Sequence, residues 1–134
     1  MLLDCSATLA WLLDDETNEP IRSVFGTVAR DGAIVPSLWR LEVANSLQMA
    51  VRRGRMTRAA RDASLADLRS YAIVVDGETD SMAWTTTLAL AERHRLTVYD
   101  AAYLELAARR HLPLATLDRE LRDAASAEGI DLLG

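Results

Sequence analysis

The firmest constraint on how this chain folds is a recurring pairing, in which a short unbroken apolar run is followed by a longer stretch of helical periodicity. The runs are MLLDC (1–5), AIVP (33–36), AIVVD (72–76), LATL (114–117) and IDLL (130–133). None alternates apolar with polar residues, which is how strands read when helices cover both faces of a parallel sheet. The stretches between them predict helices from Ser6 to about Leu13, from Asn18 and Pro20 to Asp31, from Ser37 to Arg53, and from Thr57 to Tyr71. Further helices are expected from Thr79 to Arg95, from Asp100 to His111, and from Arg119 to Glu128. DDETNEP (14–20) reads as a polar break, and Gly54 and Gly129 as helix stops. Strands alternating with helices predict the α/β class. No repeat and no Gly/Ser/Pro-rich linker divides residues 1–134, so one domain is expected.

Composition removes several functions. No apolar stretch approaches the ~20 residues that span a bilayer. The start, MLLDCSATLAWLLDDE, lacks a basic region and carries an acid at position 4, so it is a poor signal peptide. A single cysteine excludes an internal disulfide and fits a reducing cytoplasm. All 15 basic residues are arginines. Without lysine there is no phosphate-loop lysine and no Schiff base. His94 and His111 stand near helix C-termini beside arginines and have no zinc-site spacing. Trp11, Trp39 and Trp84 fall in apolar helical patterns and read as core or interface anchors.

The acids fall where a parallel sheet binds ligands, outside the carboxyl ends of its strands. Asp4 ends the first run, Asp118 follows LATL, and Asp100 opens the helix leading into LATL. If the first and fourth strands are neighbours, all three converge. On a helical wheel through 37–53, Glu42 lies beside Leu38, Asn45 and Met49 on a mainly apolar side, an expensive place for an unpaired carboxylate. Asp100 shares a face with Tyr103, Leu104, Ala107 and Ala108, while Glu105 and Arg109 read as an exposed i,i+4 pair opposite. Capping is the alternative reading for each aspartate, because each precedes a helix. It is no reading for Glu42, which is inside its helix. Four close carboxylates would raise one another's pKa, and a hard divalent cation such as Mg²⁺ or Mn²⁺ would relieve them.

LLDCSATLAWLL (2–13), PSLWRLEVANSL (36–47), TVYDAAYLELAARRHLPLATLD (97–118) and DREL (118–121) together resemble the PIN-domain ribonucleases, specifically the VapC toxins of VapBC toxin–antitoxin pairs. The resemblance implies an α/β/α sandwich on a parallel sheet of order 3-2-1-4-5. It implies catalytic and metal-binding acids at Asp4, Glu42, Asp100 and Asp118, with the hydroxyls of Ser6 and Thr116 supporting the first and last aspartates. It further implies Mg²⁺- or Mn²⁺-dependent RNA cleavage in the cytoplasm, a VapB-type antitoxin whose C-terminal tail occupies the acidic crevice, and a homodimer. Glu120 and Asp123 would add charge without ligating.

Arg52, Arg53, Arg55, Arg58 and Arg61 gather around one helix–turn–helix corner, either as a solvated surface or as an RNA-backbone contact. Two further readings stay open: a non-catalytic PIN-like module binding RNA or protein, and a housekeeping RNA-processing nuclease. Intact acids argue against the first, and the small size argues against the second.

Overall fold

The computed structural model describes residues 1–13 and 17–134. Its strands are β1 (Leu2–Leu3), β2 (Ala33–Val35), β3 (Ile73–Val75), β4 (Leu114–Ala115) and β5 (Leu132–Leu133). The helices are α1 (Cys5–Leu12), α2 (Glu19–Asp31), α3 (Trp39–Arg52), α4 (Arg58–Ser70), α5 (Thr79–Met82), α6 (Leu88–His94), α7 (Val98–Arg110) and α8 (Arg119–Ala127), with a π-helical turn at Ala83–Thr87. The first part of the predicted DDETNEP break, residues 14–16, lies outside the described residues.

The sheet is parallel throughout, in the order β3-β2-β1-β4-β5. Leu2 stands opposite both Ile34 and Leu114, and Leu3 opposite Ala115. The chain therefore winds outward from β1 to β2 and β3, then returns to β4 on the other side of β1. Right-handed crossovers place the helices of the two halves on opposite faces, and the winding reverses between β1 and β4. That is where an open α/β sheet presents its ligand crevice. The central strands are short because their role is packing: Leu2, Leu3, Leu114 and Ala115 are wholly buried. Phe25, Leu47, Tyr103, Leu106 and Leu121 close over them from the helices.

Local chemistry sets the element ends. The Asn18 side chain accepts from the Ile21 amide at 3.1 Å, starting α2. Gly32 ends it at φ 76°, and a Cβ there would sit 2.5 Å from the Ala72 carbonyl oxygen. That carbonyl accepts from the Ala33 amide, so the absence of a side chain lets β2 and β3 meet.

Several expectations are corrected. The single helix expected from Thr79 to Arg95 is α5, the π-helical turn and α6. Thr79 does not cap it; its hydroxyl donates to Asp76 at 3.0 Å. Trp84, inside the π turn, is 91% exposed and belongs to no core, whereas Trp39 is buried and Trp11 stacks on Phe25. His94 Nε2 lies 2.7 Å from Glu128 Oε1, a hydrogen-bond partner in addition to the helix end.

Glu105 and Arg109 are not an exposed pair. Glu105 is 2% exposed, and the Arg109 guanidinium donates to Glu105, Asp76 and Glu78 at 2.6, 2.7 and 2.9 Å. This buried ion network ties α7 to the end of β3.

Candidate acidic active site

Asp4 leaves β1 at the point where the winding reverses, and is 5% exposed. Its Oδ1 accepts from the Cys5 amide at 2.6 Å, and its Oδ2 accepts from the hydroxyls of Ser6 at 2.7 Å and Thr116 at 2.6 Å. Each hydroxyl has one proton to give. Both protons go to the same oxygen, so the 3.2 Å approach between Ser6 and Thr116 is a by-product of that shared target. The hydroxyls also accept: Ser6 from the Leu117 amide at 2.9 Å, Thr116 from the Asp118 amide at 3.1 Å. The backbone after β4 is thereby fastened to the carboxylate after β1. Asp118 in turn accepts from the Leu121 amide at 2.8 Å and caps α8.

Asp100 is not a cap. Thr97 caps α7, its hydroxyl accepting from the Asp100 amide at 3.1 Å. Asp100 sits in the first helical turn with its carboxylate turned to the acids, and is half-buried.

Glu42 comes from α3. The buried stripe of that helix is Trp39, Val43, Leu47 and Ala50, and Leu41 is 76% exposed. Glu42 therefore borders the core. Its partner is the buried Tyr103 of α7, whose hydroxyl donates to Oε1 at 2.5 Å. The sequence places Tyr103 on the face of Asp100; its phenol is what fixes Glu42, and no local pattern in the sequence links positions 61 residues apart.

The acids feel one another. Burial pushes the Asp4 carboxyl above the usual range, hydrogen bonds from Thr116, Ser6 and Cys5 pull it back, and Asp118 repels it. Burial also raises Glu42, opposed by Tyr103 and assisted by Asp4 and Asp100. Asp100 is raised by burial, then by Asp118 and Asp4, with Glu120 adding a smaller push. Cys5, beside them, is pushed up to about 12 by burial and by Glu42 and Asp4, which leaves it an inert thiol.

Among the described residues, no ion pair engages any of the four acids. Nor do three His, Cys, Asp or Glu side chains already form a ligand cage among them. The donor set still suits Mg²⁺ or Mn²⁺. It is all carboxylate oxygen, it repels itself, and Mg²⁺ keeps several waters while binding one or two carboxylates. Asp4, Asp100, Asp118 and Glu42 are the residues that could hold such an ion.

A family model described as "PIN domain" matches residues 1–127. The chain is 29% identical over 123 residues to Ribonuclease VapC3 of Pyrobaculum aerophilum, covering 92% of each. It is 31% identical over 124 residues to Ribonuclease VapC3 of Mycobacterium tuberculosis, covering 92% of this chain and 86% of that one. The crystal structure of PAE2754 from Pyrobaculum aerophilum superposes with a TM-score of 0.70 at 27% identity, over 98% of this chain and 81% of that chain.

Proposed function

This chain belongs to the PIN-domain family, and from that premise we propose that it is an endoribonuclease, dependent on Mg²⁺ or Mn²⁺, acting as the toxin of a toxin–antitoxin pair in the cytoplasm. The observation that carries the reading is the gathering of Asp4, Glu42, Asp100 and Asp118 at the reversal of the sheet, around a buried carboxylate held by Ser6 and Thr116. The family and the ribonuclease names of its relatives support it.

In this reading a bound divalent ion supplies a nucleophilic water at neutral pH and offsets charge developing on the phosphate. Asp4, Asp100 and Asp118 hold the ion directly or through water. Ser6 and Thr116 keep Asp4 in one orientation, so its outward lone pairs stay aimed at the crevice. Glu42 has one oxygen engaged by Tyr103 and its carboxyl is raised above the usual range by burial, which suits it to ligate or to orient the attacking water and take its proton. No histidine and no covalent nucleophile is required. Arg52, Arg53, Arg55 and Arg58 would contact the RNA backbone beside the crevice.

The whole chain, residues 1–134, acts as one PIN-like domain in this proposal. It is held inactive by a VapB-type antitoxin whose tail fills the crevice, and it pairs as a homodimer. Trp84 and Leu88, 91% and 51% exposed and one helical turn apart, are an apolar surface such a pair would cover.

The deciding experiment is cleavage of mixed cellular RNA by the purified, partner-free chain with Mg²⁺ or Mn²⁺, with EDTA, and with Asp100→Asn. Cuts that need the ion and vanish in the variant are expected. A folded chain that neither cuts RNA nor binds the ion would overturn the proposal and leave a non-catalytic module.

A further inference from the structure

A second concavity, of about 290 Å³, opens beside the acidic crevice between α1 and α3. Leu9, Leu13, Met49 and Ala50 supply its apolar lining. Beside Arg55, its polar lining comes from Asn45, Ser46 and Arg53. All three lie on the helix side that carries Glu42: positions 42, 45, 46, 49 and 53 follow the i, i+3, i+4, i+7, i+11 spacing of one stripe. Ser46 faces the Cys5 thiol, and Cys5 in turn feels Glu42 and Asp4, so the concavity begins one turn beyond the acids. From Glu42 to Arg53 the helix rises about 16 Å, the reach of a few nucleotides.

Three chemistries follow one another along this stripe. Carboxylates at the crevice are the place for a phosphate held through a cation. Next comes an apolar lining with an amide beside it. The Asn45 side chain is exposed and has no hydrogen-bond partner among the described residues, so both its donors and its acceptor are available. Last is the Arg53 guanidinium, which likewise has no partner among the described residues. Phosphate, base, phosphate is the order in which a nucleic-acid strand presents itself.

We propose that the α1–α3 groove is a nucleobase-binding subsite for single-stranded RNA, in which a base flanking the scissile phosphate lies on Leu9, Leu13 and Met49, Asn45 reads its edge, and Arg53 holds the next phosphate. The inference rests on the nuclease reading for its register, since the scissile phosphate is placed at the acids. A concavity of about 290 Å³ with Leu9, Leu13 and Met49 among its lining has room for an unstacked base, not a duplex. An amide is suited to paired donor–acceptor contact with a base edge.

Two isolated changes test it. Asn45→Ala removes the amide, and Asn45→Asp keeps its shape while replacing its donors with a charge. Asn45 is exposed, so both should leave the fold intact, which a thermal melt checks. Random-sequence RNA is cut by the wild type and both variants, and the new ends are sequenced. In parallel, binding of a short unstructured RNA is measured by fluorescence anisotropy in an Asp100→Asn background with and without each change. The expected result is a base preference at one position beside the cut that flattens in Asn45→Ala, with kcat/KM at preferred sites falling about tenfold, and a larger fall for Asn45→Asp. Cleavage with an unchanged preference and rate in both variants overturns the subsite and leaves the nuclease intact. Absence of cleavage, with RNA binding that weakens in both variants, upholds the groove while the nuclease reading falls. RNA binding indifferent to Asn45, or Asn45 changes that weaken only the hold on a partner protein, overturns the subsite.

Discussion

At the scale of single residues, two of the three aspartates do two things at once. Asp4 and Asp118 accept helix amides and also face the crevice, so capping is what aims them. Asp100 has no such duty, because Thr97 caps its helix, and this makes it the clean probe of electrostatic cost. Its folded pKa is raised by burial and by Asp118 and Asp4. A raised carboxyl stabilises the fold only when protonated: the benefit is complete below the ordinary value near 4 and is lost as pH rises through the folded value. Ion-free wild type at pH 7 therefore bears the full repulsion. Asp100→Asn should melt at a higher temperature than wild type in EDTA at pH 7, and the advantage should vanish below about pH 4. A wild type as stable as the variant at pH 7 would mean that the acids do not interact. Thr116 offers a second probe. Thr116→Val keeps the shape but deletes the donor to Asp4 and the acceptor for the Asp118 amide. Calorimetric titration with Mn²⁺ should show affinity reduced about 10–100-fold, the usual cost of losing a group that orients a metal ligand. Unchanged affinity would reduce the hydroxyl to a packing role.

At the scale of elements, the sequence is most legible where periodicity and packing agree. Unbroken runs at β1 and β4 foretell strands covered on both faces, and both are wholly buried. Strand lengths were overread, because apolar residues beyond the ladder, such as Leu117, continue the run without pairing. Asp100 does not open its helix because Thr97, three residues earlier and equally able to cap, does so instead, and local sequence does not say which of the two wins. The misreading of Glu105 and Arg109 has a different cause. An i,i+4 acid–base pair looks the same whether solvated or buried, and this one is joined by Asp76, 33 residues from Arg109. The network predicts its own sensitivity. Arg109→Met would leave Glu105, 2% exposed, without its cation, and Asp76, 5% exposed, with only the more distant Arg110 at 3.6 Å. Urea denaturation should show a loss of about 3–5 kcal/mol, as for a broken buried pair. The exposed Glu78 arm should add little. Asp76 is held below the ordinary carboxyl range by Arg109 and Thr79, against its burial. Its stabilisation is present above the ordinary value and is lost as pH falls through the lower folded one. The gap between wild type and Arg109→Met should therefore narrow below about pH 4, and a gap constant to lower pH would contradict the network.

At the scale of the whole molecule, charge works against the proposed substrate. The chain carries a net charge of −5, and its crevice concentrates carboxylates where a phosphate must come. An RNA strand approaching without cations meets repulsion from both the net field and the local one, so binding needs an anchor outside the crevice. The corner from the end of α3 to the start of α4 is the candidate: Arg52, Arg53, Arg55 and Arg58 are all exposed there. Arg61 is already committed to Gln48 and Asp62, at 2.7 and 2.9 Å, and stiffens the corner instead. Net charge hides such a segregated patch, so composition alone misjudges the molecule as indifferent to nucleic acid. The patch makes a quantitative claim, since each phosphate neutralised by an arginine releases condensed counterions. Replacing Arg52, Arg53 and Arg58 with glutamine should weaken binding of single-stranded RNA and flatten the slope of log affinity against log salt by about 2, at roughly 0.7 per contact. Anisotropy titrations across a salt series, in an Asp100→Asn background that prevents cutting, measure both. The three guanidiniums have no partner among the described residues, so the fold should not register their loss, and thermal melts should superpose. A slope unchanged by all three substitutions would place the anchor elsewhere and return this corner to solvent.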